Sequence, residues 1–282
     1  CASVCPGRNF LEENIRTGKT SVIEWYQAAI LAIVQGVTEF LPISSSAHLA
    51  LTPLLLGWPD HGLGFDIAVH LGTLIAVIIY FRNDLVSLGR ALFRPAHRDH
   101  KFAWSILIAT VPLGLAGVLF GDYVASTLRS PAVIAAATAG FGVLLWLADR
   151  HGREHRDEHD LGWTRALLIG ASQALALIPG TSRSGITMTM GLALGLNRAA
   201  AARFSFLLAV PAIAAAGSWQ IVEFASAPMP VPWGSLAAAA MISGVTAFLA
   251  IAAFLRLIER MGMLVFAVYR ILLAGVIAYV LL

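Results

Sequence analysis

Two short stretches hold residue types that can do chemistry, and both lie inside otherwise apolar sequence. The first, QGVTEFLPISSSAH at 35–48, carries Gln35, Glu39, Ser44, Ser45, Ser46 and His48. Ionisable groups in an apolar segment are costly, so each is a functional candidate by default. Gln35 and Glu39 are four residues apart and share one face of a helix. Pro42 ends that helix, because its ring disfavours continuation. The serines then fall in a loop or at the start of a short helix, where free N–H groups and the helix dipole favour an anion. Ser45 and His48, three apart, are spaced to bring a hydroxyl to an imidazole, and a nucleophile needs such a base. The plainer reading makes the serines an N-cap and a packed polar face.

The second stretch is PGTSRSGIT at 179–187. Gly180 and Gly185 let backbone bend closely around a ligand. Thr181, Ser182, Ser184 and Thr187 supply hydroxyls. Arg183 offers a planar fork of donors suited to phosphate oxygens; the plainer reading is a snorkelling anchor. Together they read as an oxyanion cradle for phosphate. A carboxylate beside a phosphate implies a bridging cation or a proton acceptor. Magnesium or calcium fits oxygen ligands, but two residues do not fill a shell, so phosphate oxygens and water supply the rest.

Other polar groups carry less. Asp66 and His70, four apart at the start of an apolar run, read as an outer-edge pair. Arg270, after Tyr269 in the last apolar run, either balances Glu39 or fixes helix packing, with packing preferred. His151, His155 and His159 recur every fourth residue beside Asp157, Glu158 and Asp160. They could bind a metal, but a solvated face is the preferred reading.

The elements that must position these groups follow from composition. The 282 residues are 58% hydrophobic and 12% charged, with a mean hydropathy of +0.78. A soluble domain carries about 25% charged residues, and a disordered chain far fewer apolar ones. Net charge is +3. The basic residues sit in short loops and form no stripe, so no nucleic-acid partner is expected. Cys1 and Cys5 precede every apolar segment, which leaves no disulfide framework or zinc spacing. Residues 1–20 are polar and lack a signal-peptide pattern. They are expected to be a disordered leader or an expression remnant.

Apolar runs cover about 65–81, 103–120, 131–148, 204–223, 236–255 and 264–281. Each approaches the roughly 20 residues of a spanning helix. Regions 25–57 and 165–196 are instead interrupted by the Pro- and Ser-rich stretches, and read as re-entrant hairpins. With the N-terminus outside, the cytoplasmic loops are 82–102, 149–165, 196–203 and 256–263. They hold 13 of the 19 Lys and Arg, whereas the outside loops 121–130 and 224–235 hold only Arg129. This is the asymmetry that inside-positive loops produce. The expected fold is therefore an all-α polytopic membrane protein with about six spans and two re-entrant hairpins, both termini outside. Residues 21–282 form one membrane domain of two halves, about 23–148 and 165–282. Each runs hairpin, span, span, span, and three spans per half invert the second copy. Aligning Pro42 with Pro179 sets Ser45 against Ser182.

AAILAIVQGVTEFLPISSSAHL (28–49) and PGTSRSGIT (179–187) closely resemble the undecaprenyl-diphosphate phosphatase family of bacteria, also called the bacitracin-resistance family. The resemblance runs from about Ile23 to the C-terminus. It includes FDIAVHLGT (65–73), RFSFLLAVP (203–211) and the YRI of 269–271. It implies an integral membrane hydrolase of the bacterial inner membrane that confers bacitracin resistance. Such an enzyme removes the terminal phosphate of a C55 polyprenyl diphosphate, giving the monophosphate carrier lipid for peptidoglycan synthesis. It also implies a divalent cation, Mg2+ or Ca2+, and a site facing the periplasm. The family's (E/Q)xxxE motif is met by Gln35 and Glu39, so Glu39 alone can be a carboxylate ligand or base there. The family serine, histidine and arginine map to Ser45, His48 and Arg183. Ala47 stands where many members have Gly.

The expected catalytic residues are then Glu39, Ser45, His48 and Arg183, with Glu39 also the metal ligand. The expected phosphate-binding residues are Gln35, Ser44, Gly180, Thr181, Ser182, Ser184 and Thr187. Expected partners are the polyprenyl diphosphate and membrane lipids, with a homodimer left open. Two other classes compete with this reading. A flippase for polyprenyl phosphate lipids would use the same Arg and Ser residues on an inverted-repeat plan, but would not need the Glu39–Ser45–His48 set. A lipid phosphatase of the PSGH class fails, because SSSAH lacks that order and no His–xxx–Asp follows SRSG.

Overall fold

The computed structural model describes residues 24–59, 61–152, 156–225 and 233–281. The polar leader with both cysteines lies outside them, as do Arg153 and His155. Among the described residues there are eleven α-helices, two short 3-10 turns and no strand. The helices are α1 (Trp25–Thr38), α2 (Ser45–Leu56), α3 (Gly62–Tyr80), α4 (Arg82–Leu92), α5 (His100–Thr127) and α6 (Pro131–His151). Then come α7 (Trp163–Gln173), α8 (Arg183–Ala193), α9 (Arg198–Ala225), α10 (Trp233–Met261) and α11 (Leu264–Leu281).

Six of these, α3, α5, α6, α9, α10 and α11, are long and apolar enough to cross a bilayer. Each falls on one of the six apolar runs. The helices outrun the runs at polar ends: α5 begins at His100 and α9 at Arg198. Helical hydrogen bonding does not stop where the side chains turn polar. The α3 helix, at 19 residues, is about 28 Å long at 1.5 Å per residue. That is close to the roughly 30 Å of a hydrocarbon core. The four helices flanking the interruptions have 14, 12, 11 and 11 residues and cannot cross alone.

The two breaks use the same backbone device. Helix α1 stops at Thr38, whose hydroxyl bonds back to the Val34 carbonyl at 2.7 Å. The chain then turns through Pro42 and restarts at Ser45. Helix α7 tightens into the 3-10 turn Ala174–Leu177 and breaks at Pro179–Gly180 before restarting at Arg183. The residues before the restarts, Ser44 (φ 69°) and Ser182 (φ 71°), are the only non-glycine residues with positive φ among those described. Such a conformation costs about 1–3 kcal/mol and persists where the surroundings over-determine it. This corrects the register expected from the prolines. The second break holds one more residue between its proline and the restart, so Ser44, not Ser45, matches Ser182. In this register Ser45 matches Arg183. Gln35 matches Gln173, and both glutamines are fully buried.

Packing holds the breaks at the centre. Helix α10 packs on α3 and α1; α5 packs on α9 and α7; α9 also packs on α3 and α8; α11 packs on α6. Glycines let the short helices approach closely, as small residues do between membrane helices. A methyl group added at Gly36 of α1 would lie 2.5 Å from the Ser243 carbonyl oxygen of α10. One added at Gly170 of α7 would collide with the Ala109 backbone of α5. Phe40, beside the first break, is fully buried and meets Phe206 edge-on at 5.2 Å between centroids. Large side chains such as Val118, Leu119 and Leu272 face outward, as a lipid-facing surface requires.

At the end of the bundle carrying residues 82–102 and 156–165, charges pair with one another. Arg203 donates to Glu158 (2.6 Å) and Asp84 (2.8 Å). Asp149 takes Arg198 Nε at 2.6 Å and the Met263 N–H at 3.0 Å. His159 lies 3.4 Å from Asp99, while His151 bonds the Leu147 carbonyl. His151 and His159 therefore turn to different partners, and among the described residues no three His, Cys, Asp or Glu are grouped to hold a metal.

Candidate active site

Glu39 is the centre of the polar cluster. It follows the last residue of α1 and is buried. Its Oε2 accepts from Ser45 Oγ at 2.7 Å and from Gln35 Nε2 at 2.9 Å. Its Oε1 accepts from Arg183 Nη2 at 3.1 Å. Ser45 and Arg183 are the first residues of α2 and α8. The positive ends of two helices thus converge on one carboxylate. The Gln35–Glu39 pair expected from helical spacing is present, and the Ser45 hydroxyl reaches it across the turn.

The expected Ser45–His48 hydrogen bond is not made. His48 Nδ1 lies 2.8 Å from the Ser44 carbonyl, and its Nε2 meets the Tyr269 hydroxyl, with the rings nearly parallel. A helical side chain leans back toward its own N-terminal turn, which carries His48 to Ser44 O while Ser45 points across the break. Asp66 and His70 do not form a side-chain pair either. The Asp66 carboxylate meets His61 Nε2 at 3.1 Å. His70 Nδ1 bonds the Asp66 carbonyl at 2.8 Å, and its Nε2 points to Glu39 Oε2 at 3.8 Å. His70 therefore belongs to the cluster at Glu39. The signal was in the sequence as an ionisable residue in an apolar run.

The second break is mostly occupied with itself. Ser182 Oγ accepts the Gly185 N–H at 3.2 Å and lies 3.3 Å from Ser184 Oγ. Ser184 donates to the Leu41 carbonyl at 2.9 Å, which ties the breaks together. The Thr187 hydroxyl reaches the Arg183 carbonyl at 2.9 Å and Ser205 Oγ at 2.7 Å. Gly180 (φ +92°) abuts α6: an added methyl would lie 2.5 Å from the Ile134 carbonyl oxygen. Thr181 Oγ1 is buried with no partner among the described residues. Ser44 Oγ lies 3.2 Å from Ser46 Oγ. Of the expected cradle, Arg183 alone reaches Glu39, and its Nη1 is buried and unpartnered.

Arg270 does not touch Glu39. It is fully buried and bonds carbonyls: Thr138 at 2.9 Å, Pro42 at 3.3 Å, Gly180 at 2.9 Å and Thr181 at 2.8 Å. One guanidinium thus fastens both breaks to α6, which favours the packing role. Gly142 and Gly185 make its room, since methyls there would lie 2.9 Å from Arg270 Cβ and 2.7 Å from Nη1. Arg183 is therefore the guanidinium at the carboxylate, and its unpartnered Nη1 leaves a donor for an anion. A divalent cation fits the Glu39 side of the cluster by donor chemistry. Glu39 Oε2 is there, and so is Gln35 Oε1, buried and without a partner among the described residues. Carboxylate and amide oxygens suit a hard cation, with phosphate oxygens and water completing the shell.

A buried carboxylate held by a half-buried guanidinium and hydroxyl, among six apolar helices, defines a polytopic membrane protein with a polar centre. The comparisons give the particular family. The family model of the bacitracin resistance protein BacA matches residues 28–276. Undecaprenyl-diphosphatase 2 of Stutzerimonas stutzeri is 51% identical over 259 residues, covering 89% of this chain and 96% of that one. The undecaprenyl-diphosphatase of Nitrosococcus oceani is 52% identical over 254 residues, covering 88% and 96%. That of Thioalkalivibrio sulfidiphilus is 49% identical over 263 residues, covering 91% and 99%. The chain belongs to the bacitracin resistance protein BacA family and is a multi-pass membrane protein.

Proposed function

We propose that this chain is an undecaprenyl-diphosphate phosphatase that removes the terminal phosphate of the C55 lipid and leaves the monophosphate carrier for peptidoglycan synthesis. One observation carries the mechanism: Glu39 accepts the Ser45 hydroxyl at 2.7 Å and the Arg183 guanidinium at 3.1 Å. Base, nucleophile and phosphate-binding donor are then within one hydrogen-bond shell. Arg183 turns its fork to the entering diphosphate and holds the terminal phosphate with the N–H groups at the start of α2. Ser45 Oγ attacks the terminal phosphorus and passes its proton to Glu39. The bond to the bridging oxygen breaks, and the lipid monophosphate leaves. Glu39 passes that proton to the leaving phosphate oxygen and, ionised again, is the base for the water that hydrolyses the phosphoserine to free phosphate; direct attack by water, using the same carboxylate, is the variant. His48, held by Ser44 and Tyr269, positions the start of α2. Glu39 and Gln35 would hold a divalent cation, Mg2+ or Ca2+, which would supply neutralisation of phosphate charge. Ser44, Gly180, Thr181, Ser182, Ser184 and Thr187 shape the loops that present these groups.

The reading extends to topology. The pairs α1–α2 and α7–α8 are re-entrant hairpins, and the two halves are inverted repeats. Two things support this: the matched positive-φ serines, and a packing pattern that survives exchange of the halves. The α10 contacts with α1 and α3 become the α5 contacts with α7 and α9. The reading puts the chain in the bacterial inner membrane with the site and both termini outside; the arginine-rich loops, expected on the cytoplasmic side, support that orientation. No separate observation favours a flippase. The test is phosphate release from undecaprenyl diphosphate by purified protein in detergent, with Mg2+, with Ca2+ and with EDTA. Release that requires the cation and is lost in Glu39→Ala is expected. Release that persists in Glu39→Ala would overturn the site.

A further inference from the structure

His70 is the group the mechanism leaves unused, and its geometry restricts what it can do. Its Nδ1 lies 2.8 Å from a backbone carbonyl, that of Asp66. A carbonyl only accepts, so Nδ1 carries the proton and a neutral ring has its lone pair on Nε2. That lone pair points at the Glu39 carboxylate, 3.8 Å away. Two lone-pair donors facing each other repel unless something positive stands between them. The separation suits one ion with two bonds of about 2.0–2.2 Å, which together span slightly more than the gap. An imidazole whose second nitrogen donates to a backbone carbonyl is also the orientation of a metal ligand. Gln35 Oε1, buried and unpartnered, sits on the same carboxylate oxygen's amide neighbour and offers a third donor.

We propose that His70 Nε2 is a direct ligand, with Glu39 Oε2, of the divalent cation in this site. Resting on the phosphatase reading for the phosphate that completes the shell, the assignment adds a selectivity. A nitrogen donor suits manganese and its heavier neighbours better than calcium, which takes oxygen. The site therefore binds Mn2+ more tightly than Ca2+, and His70 is the reason.

The test uses the full chain in detergent with Mn2+ alone, and reads binding by electron paramagnetic resonance without turnover. Expected is electron-spin-echo modulation from a directly bound 14N in the wild type. His70→Gln should abolish it and weaken Mn2+ binding by about tenfold or more, with a smaller loss for Ca2+. His151→Gln, far along α6, should keep the signal. Bound Mn2+ without nitrogen modulation in the wild type would overturn the assignment and leave His70 without a metal role. This wild-type measurement does not depend on any variant folding. Phosphate release with Mg2+ in the same preparation separates the two readings. Release without nitrogen coupling removes the ligand but keeps the enzyme, and coupling without release does the reverse.

Discussion

The two breaks share a backbone and differ in what they do with it. Each places a left-handed serine before a restarted helix, and each lies nine residues beyond a buried glutamine. In the first break the restart residue is Ser45 and its partner is Glu39. In the second the restart residue is Arg183, and the position matching Glu39 is Leu177. At the first break the Glu39 carboxylate accepts the Ser45 hydroxyl and the Gln35 amide. The second supplies one cation, and its remaining hydroxyls hold its own loop. One backbone device thus serves both breaks, with the polar cluster gathered at the first and a single guanidinium reaching it from the second.

The largest expected effect tests the one functional group of the second break. Arg183→Ala should lower phosphate release by about a hundred- to a thousandfold, the cost of removing a preorganised donor from a reacting oxyanion. Arg183→Lys should recover only part, because an ammonium lacks the fork. Ser45→Ala should also cost at least about a hundredfold. Near-normal release from a folded Ser45→Ala protein would assign the attack to water and leave Glu39 as its base.

Arg270 is common to both breaks, so its loss should remove the distinction by loosening both. In Arg270→Leu the carbonyls of Pro42 and Thr181 lose their side-chain donor, and that of Gly180 keeps only the Thr138 hydroxyl at 3.4 Å. A buried unsatisfied group costs about 1–3 kcal/mol. A large drop in melting temperature, measured in detergent, is expected before any kinetic effect is read. Thr187→Val should cost about 1 kcal/mol of stability while the turnover of the folded protein stays near wild type. If it instead lost turnover as Arg183→Ala does, the second break would be more than a binding arm.

The smallest effect lies far from both breaks. Burial pushes the Asp99 carboxyl up, but hydrogen bonds from Arg98 and Ser87, with the charges of His159 and Arg98, outweigh it and hold it below its ordinary value. A carboxylate depressed in the folded state stabilises above its unfolded range, and that contribution is lost as pH falls through the folded value. The melting temperature of the wild type should therefore fall toward that of Asp99→Asn below about pH 4, and exceed it at neutral pH.

Much of the architecture was legible in the chain. The six spans follow from apolar length, and the breaks from prolines within apolar sequence. The Gln35–Glu39 pair followed from helical periodicity. The Ser45–His48 pair did not survive, because spacing gives a shared face but not the direction in which each side chain leans. His70 was visible as a polar residue in an apolar run, but its partner is 31 positions away in sequence, and no local pattern encodes that. The register between the breaks differs by one residue from that of the prolines, since prolines mark where a helix stops and the serine before the restart marks where the next begins.

The sequence by itself determined which residues cannot face lipid and so must find one another: Glu39, Arg183 and Arg270 among them. The energetic cost of a charge in an apolar medium is local, and can be read from a residue and its neighbours. Only the tertiary structure decided who meets whom. It gave Glu39 to Ser45 and Arg183, gave Arg270 to the carbonyls of both breaks, and turned His48 toward Tyr269. Those pairings depend on how helices cross, and crossing is set by contacts such as Gly36 on Ser243 and Gly170 on Ala109, between residues far apart in the chain.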